Sequence, residues 1–172
     1  MTFTVGIISD THGLLRPEAL RFPAHVDHII HGGDIGDPGI IPTLRRIAPV
    51  TAIRGNVDTG EWATEFAENE SVRLAGRLFY VLHDLNTLQV NPAAEGIDVI
   101  VSGHSHVPKI ATVDGALYPK FPGGVERQAE RLRAEGFARS QGTRRPSGRD
   151  FVTADGRALT GGKDFVEFIN AS

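Results

Sequence analysis

Seven side chains able to ligate a metal stand at the ends of apolar runs: Asp10, His12, Asp34, Asn56, His83, His104 and His106. They offer only nitrogen and oxygen donors. That set suits Mn, Fe, Zn, Ni or Co, and it is richer in imidazole than Mg or Ca prefers. The chain has no cysteine, so thiolate ligands and disulfides are excluded. Six or seven ligands exceed the needs of one transition metal, whereas two ions sharing a bridging carboxylate would use them all. Taken singly the pieces are weak: Asp-x-His is common, Gly-Asn is usually a turn, and a lone His83 at a strand end is more often a hydrogen-bonded core residue. Their joint occurrence, each at a strand terminus, carries the inference.

The elements that must position them are legible as apolar runs. "FTVGIIS" (3–9) reads as a strand ending in Asp10-Thr11-His12, "DHIIHGG" (27–33) as one ending in Asp34, and "VTAIRG" (50–55) as one ending in Asn56 and Asp58. "SVRLAGRLFYVLH" (71–83) reads as two strands around a Gly76 turn, running into His83-Asp84, and "IDVIVSG" (97–103) as a buried strand running into His104-Ser105-His106. Ligands gather outside the carboxyl ends of strands in α/β sheets, so these positions should converge. Glycines at 33, 55 and 103 precede ligands and permit tight backbone there. Helices are expected over 16–22 and 37–47, and a hairpin over 109–119 with Asp114-Gly115 at its turn. Strand–helix alternation followed by hairpins implies a mixed sheet. Residues 125–136 read as a helix with a thin apolar stripe, 138–150 as a polar loop, and 151–156 with 164–169 as a closing pair of strands. The whole chain, 1–172, is expected to be one domain, with 125–150 a peripheral helix and loop.

Composition limits the classes of function. The net charge of −3 divides unevenly: residues 1–119 carry 8 Lys+Arg against 14 Asp+Glu, and residues 120–172 carry 10 against 7. An acidic front part has the right sign for a scaffold of divalent cations. The arginines between 127 and 149 are interleaved with Glu126, Glu130 and Glu135, which describes a solvated helix better than a nucleic-acid surface. Nucleic acid is therefore not expected as a stable partner. No apolar stretch approaches the ~20 residues of a membrane span. A cleavable leader is not expected, because the first strand starts near Phe3 and already reaches Asp10. A cytoplasmic protein is the expectation, with room for a homo-oligomer.

"SDTHG" (9–13), "HGGD" (31–34), "RGNVD" (54–58), "VLHD" (81–84) and "SGHSH" (102–106) resemble the five motifs of the calcineurin-like metallophosphoesterases, and most closely those of the small bacterial and archaeal phosphodiesterases. The resemblance covers about residues 3–119. It implies a four-layer α/β/β/α sandwich with mixed sheets. It also implies two divalent ions, with manganese expected first and Fe, Zn, Ni or Co as alternatives. Asp10, His12, Asp34 and His106 would hold one ion; Asp34, Asn56, His83 and His104 would hold the other, with Asp34 bridging. Such a pair generates hydroxide from a shared water and neutralises the charge of the phosphoryl transition state. The implied activity is hydrolysis of a small phosphodiester by that bridging hydroxide, with Asn56, His104, Asp58 and Arg54 as residues acting at the reaction centre. Asp58 would support a ligand, as Thr11 and Ser105 could. Arg54 could reach a substrate phosphate or form a surface salt bridge. His31 and Trp62 read as packed residues, and His25 and His28 as exposed. The sequence departs from the wider superfamily at Val57, where many members carry a histidine, and at "FPGG" (121–124), where relatives usually carry Asn-Pro-Gly-Ser. The competing reading is a non-catalytic scaffold or binding module of the same fold, acting through protein contacts as a retromer subunit does. The feature that discriminates is survival of the ligands, and every expected position is filled.

Overall fold

Alternate residues of the first strand belong to different cores. In β1 (Phe3–Ile8), Val5 and Ile7 join one buried cluster while Ile8 joins another. The same split recurs in β2 (His28–His31), where Ile30 faces one way and Ile29 the other. A period of two with apolar residues on both faces marks a strand covered on both sides. The structure, a computed structural model, describes residues 3–15, 17, 26–106 and 109–120, with the backbone of 150–153, 158–160 and 166–170.

The described strands form two sheets. One runs in the order β10-β9-β11-β1-β2-β3, where β3 is Val50–Ala52, β9 Asp150–Thr153, β10 Ala158–Thr160 and β11 Val166–Asn170. Its strands β9, β11, β1, β2 and β3 are parallel, and β10 folds back antiparallel on β9. The other sheet runs β4-β5-β6-β8-β7, with β4 Asn69–Leu74, β5 Arg77–Leu82, β6 Val99–Val101, β7 Lys109–Val113 and β8 Ala116–Lys120. There β5, β6 and β8 are parallel, while β4 and β7 close hairpins at the edges.

Between the sheets lie Val5, Ile7, Ile30 and Ile53 from one and Leu74, Phe79, Val81, Val99, Val101 and Leu117 from the other. Each such side chain contributes roughly 1.5–3 kcal/mol on burial. Helix α1 (Ile40–Arg45) lays Ile40, Ile41 and Leu44 against the outer face of the first sheet, with Ile8, Ile29 and Ala52. Across the molecule, Leu78, Tyr80, Leu82 and Ile100 pack on the outer face of the second with Ile97 and Leu85. Short helix α2 (Pro92–Glu95) follows there, capped by the Asn91 side chain and stopped by Gly96 in the left-handed region. The layers therefore run helix, sheet, sheet, helix, as expected.

Several boundaries differ from the sequence reading. The helix expected over 37–47 spans only Ile40–Arg45, because the Asp37 carboxylate accepts from the Gly39 N–H and holds 37–39 as a turn. Pro42 is tolerated in the first turn, where an N–H would lack an intrahelical partner. The strand expected over 50–55 ends at Ala52, which pairs with His31, the last residue of β2. Beyond it the Arg54 N–H turns to the Ala67 carbonyl. The closing pair of strands is a set of three, with β10 inserted and β11 placed directly beside β1. The hairpins at Gly76 and at Asp114-Gly115 form as expected. The segment 125–150 is outside the described residues apart from the backbone of Asp150, and so are His25 and most of 16–22.

Candidate metal centre

The parallel strands β1, β2 and β3 and the parallel pair β5 and β6 deliver their carboxyl ends to one place. Backbone hydrogen bonds then stitch the loops together. Asp10 N–H donates to the Gly33 carbonyl at 2.9 Å, His12 N–H to Asp34 at 3.0 Å and Gly13 N–H to Ile35 at 2.8 Å. Gly103 N–H donates to the His83 carbonyl at 3.0 Å, which joins the other sheet's loops to each other. His104 N–H crosses between the sets to Asp10 Oδ1 at 2.9 Å.

These loops hold an uncommon backbone. Among the described non-glycine residues, positive φ occurs at Asp10, His12, Asp34, His104 and His106, and otherwise only at Ala75 and Asp114 in the two hairpin turns. Left-handed backbone costs an ordinary residue of order 1–3 kcal/mol and persists where the surroundings over-determine it. Five of the seven expected ligands thus sit in strained backbone.

The side chains converge in two overlapping groups, Asp10 with His12 and His106, and Asp10 with Asp34 and His83, each with its ligating atoms within 4.8 Å of one another. His106 Nε2 lies 3.8 Å from Asp10 Oδ1, and His12 Nε2 lies 3.8 Å from Asp34 Oδ2. The two exposed imidazoles stack, with their Nε2 atoms 3.4 Å apart. Asp10 and Asp34 are 2% and 3% exposed and His83 is 7% exposed.

His83 shows what this arrangement requires. Its Nδ1 lies 2.8 Å from the Gly32 carbonyl, which can only accept, so the ring proton sits on Nδ1. Nε2 is buried and without a hydrogen-bond partner, and in the neutral ring it presents a lone pair. It faces Asp34 Oδ2 at 3.2 Å and Asp10 Oδ1 at 4.0 Å. A lone pair aimed at two carboxylates is unfavourable unless a proton or a metal ion joins them. The nitrogen and oxygen donor set and this orphaned atom both fit a binuclear divalent-metal site.

Asn56 and His104 lie at the exposed edge of the same site. His104 Nδ1 is 3.1 Å from Asn56 Oδ1, and its ring meets that of His83 edge-on at 5.2 Å. Sequence reading assigned nothing to Asp84, yet its Oδ2 is 3.9 Å from His104 Nε2. Adjacency to His83 was the only hint. Asp58 is buried and takes no place among the ligands. Its carboxylate accepts from the N–H groups of Ile35, Gly36 and Gly55 at 3.0, 2.8 and 2.8 Å, and so braces the loop carrying Asp34. Ser9 donates from its hydroxyl to Asp10 Oδ2. Val57 is exposed, and its backbone N–H donates to Asp34 Oδ1 at 3.1 Å. Arg54 pairs with Glu68 at 2.9 Å. Ser105 is exposed, with its N–H on the Gly103 carbonyl.

The glycines matter for space more than for φ. A Cβ on Gly55 would stand 2.1 Å from Asp34 Oδ1, and one on Gly103 would stand 2.9 Å from Asp10 Oδ2. Gly33 needs both, with φ +88° and a Cβ that would meet His83 Nδ1 at 2.8 Å. Of the residues read as packed, His31 is fully buried, and burial pushes its imidazole down to about 4. Trp62 packs edge-on against Phe66 beside the α1 core. His28, expected to be exposed, is half-buried and 2.8 Å from the Thr51 hydroxyl, and burial lowers its pKa.

The chain is similar to known proteins in sequence and in fold. A probable metallophosphoesterase of Methanocaldococcus jannaschii is 34% identical over 120 residues, which is 63% of this chain and 62% of that protein's length. Among solved structures, vacuolar protein sorting 29 of Cryptosporidium parvum superposes with a TM-score of 0.57 at 17% identity, over 67% of this chain and 72% of that one. A structure described as a novel archaeal phosphodiesterase superposes with a TM-score of 0.52 at 25% identity, over 67% of this chain and 81% of that one. The sequence profile of the calcineurin-like phosphoesterase superfamily domain matches residues 3–140, and the chain belongs to that superfamily.

Proposed function

We propose that this chain is a metal-dependent phosphodiesterase acting on small phosphodiesters in the cytoplasm. The observation that carries this reading is the orphaned His83 Nε2, held between the carboxylates of Asp10 and Asp34 in two overlapping ligand groups. Asp10, His12, Asp34 and His106 would hold one ion, and Asp34, Asn56, His83 and His104 the other. A bridging Asp34 is supported by its Oδ2, which lies 3.8 Å from His12 Nε2 and 3.2 Å from His83 Nε2. Manganese is the proposed ion. Bound there, a pair of divalent cations supplies Lewis acidity and concentrated positive charge.

The protein's own groups set the preference for diesters. Val57 presents an exposed apolar side chain beside Asn56 and has no proton to give a departing oxygen. Asp10, Asp34 and Asp84 already crowd the site, so a monoester dianion is harder to place than a diester monoanion. The archaeal phosphodiesterase structure supports the same direction. A scaffold role needs no such convergence of ligands, and the two overlapping ligand groups argue against it. The test is turnover by the Mn²⁺-reconstituted protein of an aryl phosphodiester and a phosphomonoester with the same leaving group. The diester should be favoured, with elemental analysis approaching two equivalents of manganese. Strong preference for the monoester would overturn the diesterase assignment.

A further inference from the structure

A buried hydrogen-bonded pair joins the two loops that carry Asp10, His12 and Asp34. His31 ends β2 and is fully buried. Its Nδ1 receives the Gly33 N–H at 3.3 Å, so Nδ1 is the acceptor and the ring proton is on Nε2. That Nε2 stands 3.1 Å from the Thr11 hydroxyl oxygen. The Thr11 hydroxyl in turn donates to the Ile35 carbonyl at 2.9 Å. Every donor in the chain meets an acceptor, so the direction of the relay is fixed from Gly33 through His31 and Thr11 to Ile35.

Its placement is informative. Thr11 lies between Asp10 and His12, and Gly33 and Ile35 flank Asp34. Those three expected ligands have φ of 54°, 48° and 54°. Strained backbone must be held by its surroundings, and the relay spans both strained loops from inside. The geometry points to the His31–Thr11 pair as a positioning device that pre-forms the metal centre before any ion arrives. Neither residue is a ligand; each acts through the loops it fixes. The inference rests on the metal-centre reading above and adds to it a reason why the ligands are aimed at one another.

The experiment is Mn²⁺ titration by calorimetry of the full chain and of two variants. Thr11→Val keeps the shape and removes the hydroxyl. Thr11→Ser keeps the hydroxyl. Thr11→Val should weaken Mn²⁺ binding by about 10–100-fold, the usual cost of losing a group that orients ligands. Thr11→Ser should restore most of the affinity, and saturating Mn²⁺ should recover kcat in the valine variant. Equal affinity of Thr11→Val and the unsubstituted chain, or a serine variant as weak as the valine one, would overturn the proposal. Failure of the unsubstituted chain to bind Mn²⁺ would instead overturn the metal reading, and this inference with it. Should Thr11→Val not fold, the ring-nitrogen NMR shifts of His31 in the unsubstituted, metal-free protein decide. The Nε2–H tautomer supports the relay, and the Nδ1–H tautomer overturns it.

Discussion

The metal centre has an inner and an outer half, and they are built differently. Asp10, Asp34 and His83 are buried, while His12, His104 and His106 have side chains 39%, 43% and 47% exposed. The inner half carries the electrostatic tension, because two carboxylates and an imidazole face one another at buried positions, where charges are poorly screened. The outer half faces solvent, where mispairing is cheap. Burial therefore fixes the need for a cation in one half and leaves the other adjustable.

The sharpest way to break this comparison is to neutralise the inner half. Asp34→Asn keeps an oxygen for the Val57 N–H and removes one of two adjacent buried charges. Metal content should fall from two equivalents toward none, and kcat/KM should drop at least about a thousandfold. The metal-free protein should melt no lower than the parent, since a like-charge pair has been relieved. A large fall in metal-free melting temperature would show that Asp34 is chiefly structural.

The outer half predicts a smaller loss. His12→Ala removes an exposed ring from its stack on His106 and leaves the inner group intact. Elemental analysis should find the loss of about one equivalent. Activity should fall by more than the about 10–100-fold typical of losing an orienting group, and by less than in Asp34→Asn. If both ions left together, the two halves would be one cooperative site and the distinction would fail.

Much of this was legible because apolar runs and polar breaks share one cause. Strands covered on both faces read as continuous Ile and Val, and the polar residues within a few positions beyond each run are where the chain meets solvent or a site. That logic singled out Asp10, Asp34, Asn56, His83 and His104, of which Asp10, Asp34 and His83 converge in one buried group. The left-handed backbone at the ligands was not legible, because none of the five is glycine and the loops that enforce it come from four strands. Asp58 was expected to support a ligand, but the three amide donors through which it braces the Asp34 loop, up to 23 residues away, were not legible. Gly55 looked like a turn residue, whereas the structure uses its missing Cβ to make room for Asp34. Strand β10 and the placement of β11 beside β1 depend on pairing across most of the chain, which local pattern does not encode.

His31 gives a pH signature confined to the inner side. Burial holds its imidazole down to about 4 against an ordinary 6.5. The unfolded chain takes up that proton first, so the stability tied to this group is complete above the unfolded value of 6.5. It is lost as pH falls toward about 4. At pH 5 the loss should reach about 2 kcal/mol. Denaturant unfolding between those limits should show the slope, and His31→Gln should flatten it by one proton. An unchanged slope in the variant would assign the acid sensitivity to other groups.

The smallest effect concerns the outer rim, where Arg54 is two residues from Asn56. Its guanidinium pairs with Glu68 at 2.9 Å, with side chains 34% and 76% exposed. An ion pair that open is worth about 0–1 kcal/mol, so a substrate phosphate can compete for the arginine. Glu68→Gln should therefore leave the melting temperature almost unchanged while freeing Arg54. If Arg54 receives the ester, KM for a phosphodiester should fall by about two- to fivefold, under 1 kcal/mol, and kcat should hold. Arg54→Ala should raise KM, and adding Glu68→Gln to it should then change nothing further. That non-additivity separates a substrate contact from a surface ion pair, because an ion pair alone would leave KM the same in all three variants.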